Sequence, residues 1–213
     1  MLRILVVVVA AAAVAHAAPL QLAAAYGSHM VLQADRPAAV WGHGTPGTNV
    51  TVTLAAGARV VASNTSTVAP NGIWQTHLPP QPASNTSHTV SARTGSASLQ
   101  LDDVVYGDVL VCVGQSNMEF PVMWAANATQ DIADAAHRPF IRVFRANHSA
   151  SAMQLFDYGA GNTVLQPWAV ASNSTVPAFS AVCYFTARAL QRHHGRPMGL
   201  YQGILVVEQE DGR

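Results

Sequence analysis

The stretch 107–118, Gly-Asp-Val-Leu-Val-Cys-Val-Gly-Gln-Ser-Asn-Met, constrains the chain more than any other. Val109 to Val113 form a short run with no polar alternation, which suits a strand buried on both faces of a parallel sheet. Gly114 then lets the backbone turn sharply. Ser116 and Asn117 stand where a helix would begin, since both residue types make good N-caps. A serine at the carboxyl end of a buried strand, facing a helix N-terminus, is where open α/β folds place reactive groups. The same residues also describe a capped strand-to-helix turn with no chemistry, and the stretch alone leaves both readings open.

The pattern on either side of this stretch differs. Met30-Val31-Leu32 reads as a short strand, and Val40-Trp41-Gly42 begins another. Val50 to Leu54 alternates with period two, Arg59 to Ala62 suggests the next strand, and Asn71-Gly72 is a hairpin dipeptide ahead of Ile73 to Leu78. Thr89 to Ala92 and Ala97 to Leu101 add two more. Short strands with closely spaced turn signals predict an antiparallel β-sandwich over residues 19–103.

From Val104 onward strands alternate with helical patterns. Glu119 to His137 is Ala-rich and helix-compatible, interrupted by Pro121. Phe140 to Phe144 is the next strand. Ser149 to Ser174 reads as loop with Trp168 packed inside. Ala178 to His194 is amphipathic, with Phe179, Val182, Cys183, Phe185, Thr186 and Leu190 on its apolar stripe. Gly195 ends it, and Arg192, His193 and His194 complement its negative end. Pro197 to Leu200 begins a further strand. This order predicts a parallel sheet of about three strands.

Residues 1–18 carry the marks of a secretory signal: Arg3, the apolar core Ile4 to Val14, and the small-x-small site Ala15-His16-Ala17. The apolar run is short for a span, so no membrane association is expected after cleavage. Six sequons, at Asn49, Asn64, Asn85, Asn127, Asn147 and Asn173, fit the same secretory route, to a lysosomal or extracellular destination, and predict exposed loop or helix positions. Eleven basic residues balance eleven acidic ones without a basic cluster, so nucleic-acid binding is not expected. No metal-ligand spacing and no cofactor motif stand out. Cys112 falls in a buried strand and Cys183 in a helix. Two unpaired thiols are the favoured reading and a disulfide the alternative.

The motifs resemble, in order, those of the sialate O-acetylesterase family, a branch of the SGNH-type serine esterases. They run from His29-Met-Val-Leu-Gln33 and Val40-Trp-Gly42 to Pro46-Gly47 with Val50-Thr-Val52, and Asn71-Gly-Ile-Trp74. Gly107-Asp-Val109 with Gly114-Gln-Ser-Asn-Met118 follows, then Phe179-Ser-Ala-Val182 with Tyr184-Phe185, and Met198-Gly-Leu200. The resemblance implies the N-terminal part of a three-layer SGNH-hydrolase-like domain over 104–200, an incomplete α/β layer with an open edge and an uncovered apolar face, and an O-acetylated sialic acid or sialoglycan as substrate. Ser116 would be the nucleophile, supported by Gly114, Gln115 and Asn117, with the Ser116 backbone N–H as one oxyanion donor. Further donors would come from a glycine after the next core strand and from a later asparagine.

Residues 201–213 depart from the family's Ser-x-Trp-Gly-Gly type loop, so Gly203 is not assigned the oxyanion role. The family's Asp-x-x-His element lies beyond this terminus. Asp134-Ala-Ala-His137 fits it by letter, but it stands too near the nucleophile and reads as a surface Asp–His pair. His193 and His194 read as helix-end residues. The expectation is a truncated esterase with little or no activity at this length and a tendency to aggregate. The alternative is a non-catalytic secreted glycoprotein with a glycan- or partner-binding β-domain.

Overall fold

The structure, a computed structural model, describes residues 18–114, 116–147, 157 and 164–203. The signal segment, Gln115 and the chain beyond Gly203 lie outside the described residues. The strands are β1 (Gln21–Leu22), β2 (Val31–Gln33), β3 (Ala38–His43), β4 (Asn49–Ala56), β5 (Arg59–Thr67), β6 (Ile73–Leu78), β7 (Ser84–Thr94) and β8 (Ala97–Cys112). After them come α1 (Ser116–Glu119), a 3-10 turn (Val122–Trp124), α2 (Ala128–Ala135), β9 (Ile141–Ala146), β10 (Val164–Val170), α3 (Ala181–His194) and β11 (Met198–Gln202).

Two sheets result. One is the antiparallel set β1-β3-β6; the other runs β10-β9-β11-β8-β7-β4-β5, with β2 beside β8. The period-two pattern of β4 buries Val50, Val52 and Leu54 in one cluster with Val40 of β3 and Trp74 of β6, so the inner residues of both sheets share a core.

β8 is the spine of the molecule. Its first part pairs antiparallel with β7 from Ala97↔Thr94 to Tyr106↔Ser84, and its last part pairs parallel with β11 from Asp108↔Met198 to Cys112↔Gln202. The expected domain junction at 103/104 therefore falls inside one continuous strand. Gly107 stands at the changeover, where a Cβ would lie 2.1 Å from the Pro197 carbonyl oxygen, so only glycine lets β8 take its second partner. β11 pairs parallel with β9 as well, so β8, β11 and β9 run parallel in that order, and β2 is parallel to β8 on its first part. Antiparallel β10 makes the sheet mixed. A second cluster, with Ile141, Val143, Phe179, Tyr184 and Leu200, lies where α3 packs on these strands.

Four sequence expectations are corrected. The helical reading of 119–137 breaks into α1, the 3-10 turn and α2. Pro121 bridges to Ser180, and Val122 N–H donates to the Phe179 carbonyl, so this stretch is held by a neighbouring segment instead of its own ladder. The second half of the expected loop contains β10, an edge strand irregular around Pro167, with Trp168 buried and its Nε1 donating to the Ala25 carbonyl at 2.8 Å. The run Val109 to Val113 is not buried on both faces: Val111 is 65 % and Val113 50 % exposed, because α3 covers only the face that carries Cys112. Finally, Cys112 and Cys183 form a disulfide, with Cα atoms 6.0 Å apart. The first turn of α3 crosses the end of β8, which brings together two residues 71 apart in sequence.

Asn49, Asn64, Asn85, Asn127 and Asn173 are exposed and Asn147 is partly buried. Asn49, Asn64 and Asn85 sit in strands, not loops or helices.

Candidate active site

β8, β11 and β9 point their carboxyl ends the same way, and Ser116 sits just past the end of β8. The turn that places it depends on Gly114, whose φ is 153° and whose Cβ, if present, would lie 2.7 Å from the Met118 side chain. Ser116 is exposed and is the first residue of the one-turn helix α1, with its carbonyl accepting from Phe120 N–H at 3.1 Å. Asn117 is exposed beside it.

Ser116 opens onto a cleft of about 410 Å³ lined by Glu119, Phe120, Pro121, Met123, Trp124, Arg145, Ala178 and Gln202. Phe120, Met123 and Trp124 present an exposed apolar wall, and the Phe120 and Trp124 rings meet edge to face at 6.0 Å. The floor is polar. Gln202, at the end of β11, is 2 % exposed, and its Oε1 accepts from Ser180 N–H at 3.0 Å. Ser180 in turn caps α3, its Oγ accepting from Cys183 N–H at 3.3 Å. The disulfide, the α3 cap and Gln202 thus form one connected support under the nucleophile turn.

Arg145, near the end of β9, is partly buried, and its Nε–H has no hydrogen-bond partner among the described residues. Burial pulls its guanidinium below the ordinary arginine range, against the opposing charge of Glu119. No histidine lines the cleft among the described residues.

The sequence decoys lie elsewhere. His137 is exposed, and its bond to Asp134 is a backbone one, N–H to carbonyl at 3.0 Å, not a side-chain pair. Arg138 grips Asp134 in two hydrogen bonds, Nε to Oδ2 at 3.0 Å and Nη2 to Oδ1 at 3.1 Å, which, with the charges of Arg138, Arg188 and Arg192, hold its carboxyl below the usual range. The expected Asp134–His137 pair is therefore an Asp134–Arg138 pair. His193 and His194 touch each other at the far end of α3, about 20 Å along the helix from Ser180. Arg145, Gln202 and Trp124 were not singled out from sequence. Arg145 and Gln202 had a usable signal, since each falls within two residues of the end of an expected parallel strand, where ligands bind.

No family profile matches the chain. It is 32 % identical to the sialate O-acetylesterase of Rattus norvegicus over 180 residues, which are 81 % of this chain and 33 % of that protein. The corresponding Mus musculus protein is 33 % identical over 183 residues, again 81 % and 33 %, and the Homo sapiens protein 32 % over 181 residues, 80 % and 34 %. The chain thus spans about a third of the length of the curated relatives it matches. Among solved structures, a carbohydrate acetylesterase from Xanthomonas citri superposes with a TM-score of 0.77 at 28 % identity, covering 86 % of this chain and 40 % of that one.

Proposed function

From a chain related to the sialate O-acetylesterase family over the segment it spans, we propose a carbohydrate O-acetyl ester hydrolase in which Ser116 is the nucleophile. The observation that supports it is Ser116 itself, exposed on a glycine-dependent turn at the carboxyl ends of three parallel strands and open to a cleft. In the finer reading the chain pairs a β-sandwich with part of an SGNH-type α/β domain. The substrate is an O-acetylated sialic acid, and the protein enters the secretory pathway and carries glycans on its exposed sequons.

Ser116 Oγ attacks the acetyl carbonyl carbon and gives up its proton to a base. The tetrahedral oxyanion takes a hydrogen bond from the Ser116 N–H, and the sugar alcohol leaves with the proton returned to it. Water then attacks the acetyl-serine ester and releases acetate. Histidine is the usual base for such a serine, and an Asp-x-x-His element beyond residue 213 supplies it in this reading. The non-catalytic glycoprotein reading draws on the same lack of histidine in the cleft among the described residues.

The test is acetate release from O-acetylated sialic acid by this chain and by one extended through an Asp-x-x-His element. Absence of the base lowers the rate by several powers of ten, on the order of 10⁶, so the extended chain is active and this length close to inert. Ser116→Ala abolishes activity in the extended chain. Activity that survives Ser116→Ala overturns the nucleophile assignment, and full activity of the 213-residue chain overturns the need for a distal base.

A further inference from the structure

Arg145 and Gln202 are register partners on adjacent parallel strands, and both face the cleft of Ser116. Register partners share a face here: the preceding pair, Phe144 and Tyr201, stack with ring centroids 4.9 Å apart on the opposite side of the sheet. The floor of the cleft is therefore a guanidinium next to a primary amide. The amide's acceptor oxygen is taken by Ser180 N–H, which fixes its orientation and leaves its N–H₂ as what it offers. Arg145 can only donate, and its Nε–H is buried without a partner among the described residues.

Among the described residues the Nε–H of this partly buried cation has no acceptor, an arrangement that a hydrogen-bonded anion in the cleft relieves. A planar guanidinium matches a carboxylate in a two-pronged contact, which a neutral sugar hydroxyl cannot replace. Glu119 shares the cleft, and its charge favours the charged guanidinium against the effect of burial. The flat wall of Phe120 and Trp124 suits the apolar face of a sugar ring. We propose that Arg145, flanked by Gln202, is the specificity residue of the cleft and binds the carboxylate of a sugar-acid substrate. This rests on the carbohydrate esterase reading and adds to it the group that selects acidic over neutral sugars.

The test is a binding titration that needs no ester chemistry, so it stands or falls apart from the nucleophile assignment. The 213-residue chain is titrated with N-acetylneuraminic acid and with its carboxamide, which keeps the sugar and removes the charge. The acid binds at least about tenfold more tightly, the amount a charged hydrogen bond contributes. Arg145→Gln brings the two ligands to equal affinity while its thermal midpoint stays near that of the parent. Arg145→Lys keeps part of the preference for the acid, since the charge remains and the fork is lost. Equal affinity of acid and amide for the parent, a preference that survives Arg145→Gln, or no binding of either ligand overturns the proposal. Ester hydrolysis by Ser116 without that preference overturns it alone and leaves the esterase reading in place.

Discussion

His29 and Asp103 sit at positive φ, 70° and 53°, although neither is glycine. The Asp103 carboxylate binds both His29 Nδ1 and Arg142 Nη1 at 2.8 Å. Arg142 is 4 % exposed and also donates to the carbonyls of His29 and Pro139. Burial pushes the Asp103 carboxyl up, but the hydrogen bonds from His29 and Arg142 and their charges outweigh it and hold the group below the usual carboxylate range. A lowered folded-state value contributes stability that is present above about pH 4, the unfolded value, and is lost as pH falls through the folded one. Asp103→Asn keeps the shape and tolerates the positive φ, yet leaves a buried guanidinium without its counter-charge. It costs about 2 kcal/mol at pH 7, an amount reduced from the fully buried case because the carboxylate is partly solvated. In urea unfolding, the gap between parent and variant closes as pH drops below 4; a gap independent of pH refutes the ion pair as its source. At this scale sequence and structure agree least. In the sequence His29 stands in a motif and Arg142 in a strand, with nothing to join them. The contacts join residues 39 and 113 positions apart, and local pattern carries no sign of them. Ser116 was legible because its signal, glycine after an apolar run, is local.

Elements were legible wherever one face is buried and the other wet. Ile73 to Leu78 matches β6 residue for residue, and β3 and β4 follow their alternation. β10 was hidden by Pro167, which an edge strand accepts and a sequence pattern reads as a break. The Ala-rich stretch before His137 was read as more helix than forms, because the partners that hold it, Pro177 and Phe179, come from a distant segment. The cysteines were placed in the right kinds of element but not paired, since the crossing of α3 over β8 is a tertiary fact. That pairing has a measurable consequence. Closing a loop between residues 71 apart restricts the unfolded chain, worth about 4 kcal/mol by the chain-entropy relation and less where the reduced chain keeps structure. Cys112 and Cys183 are 7 % and 2 % exposed, so a thiol reductant cannot reach them in the folded protein. Dithiothreitol therefore leaves the native melt unchanged on a short exposure and lowers it only after unfolding in denaturant. The Cys112→Ala/Cys183→Ala double variant melts several degrees lower without any reductant. Equal melting of parent and double variant would show that the bridge adds nothing.

At the scale of the molecule, β8 makes the two halves one structure. The larger core cluster collects Val50, Trp74 and Val90 from the antiparallel part, yet it also takes in Phe144, Ala146 and Trp168 from β9 and β10. Trp168 packs on Phe144 with centroids 5.6 Å apart and ties its indole to Ala25, so β10 is bonded to the N-terminal segment as well as to its own sheet. The pattern change after residue 103 comes just before Gly107, where β8 exchanges its antiparallel partner for a parallel one, and the backbone does not part there. The two halves therefore unfold together. Trp168→Ala removes a large buried side chain and costs about 3–5 kcal/mol. In hydrogen exchange, the loss of protection appears equally in β4, which lies on the far side of β8 from Trp168, and in β11 beside it. Backbone circular dichroism and tryptophan fluorescence give one coincident transition in urea for the parent and for the variant. Weakened protection in β9, β10 and β11 with β4 untouched, or two separated transitions, would mean that β8 links two independently stable bodies and that the shared cluster carries no cooperativity between them.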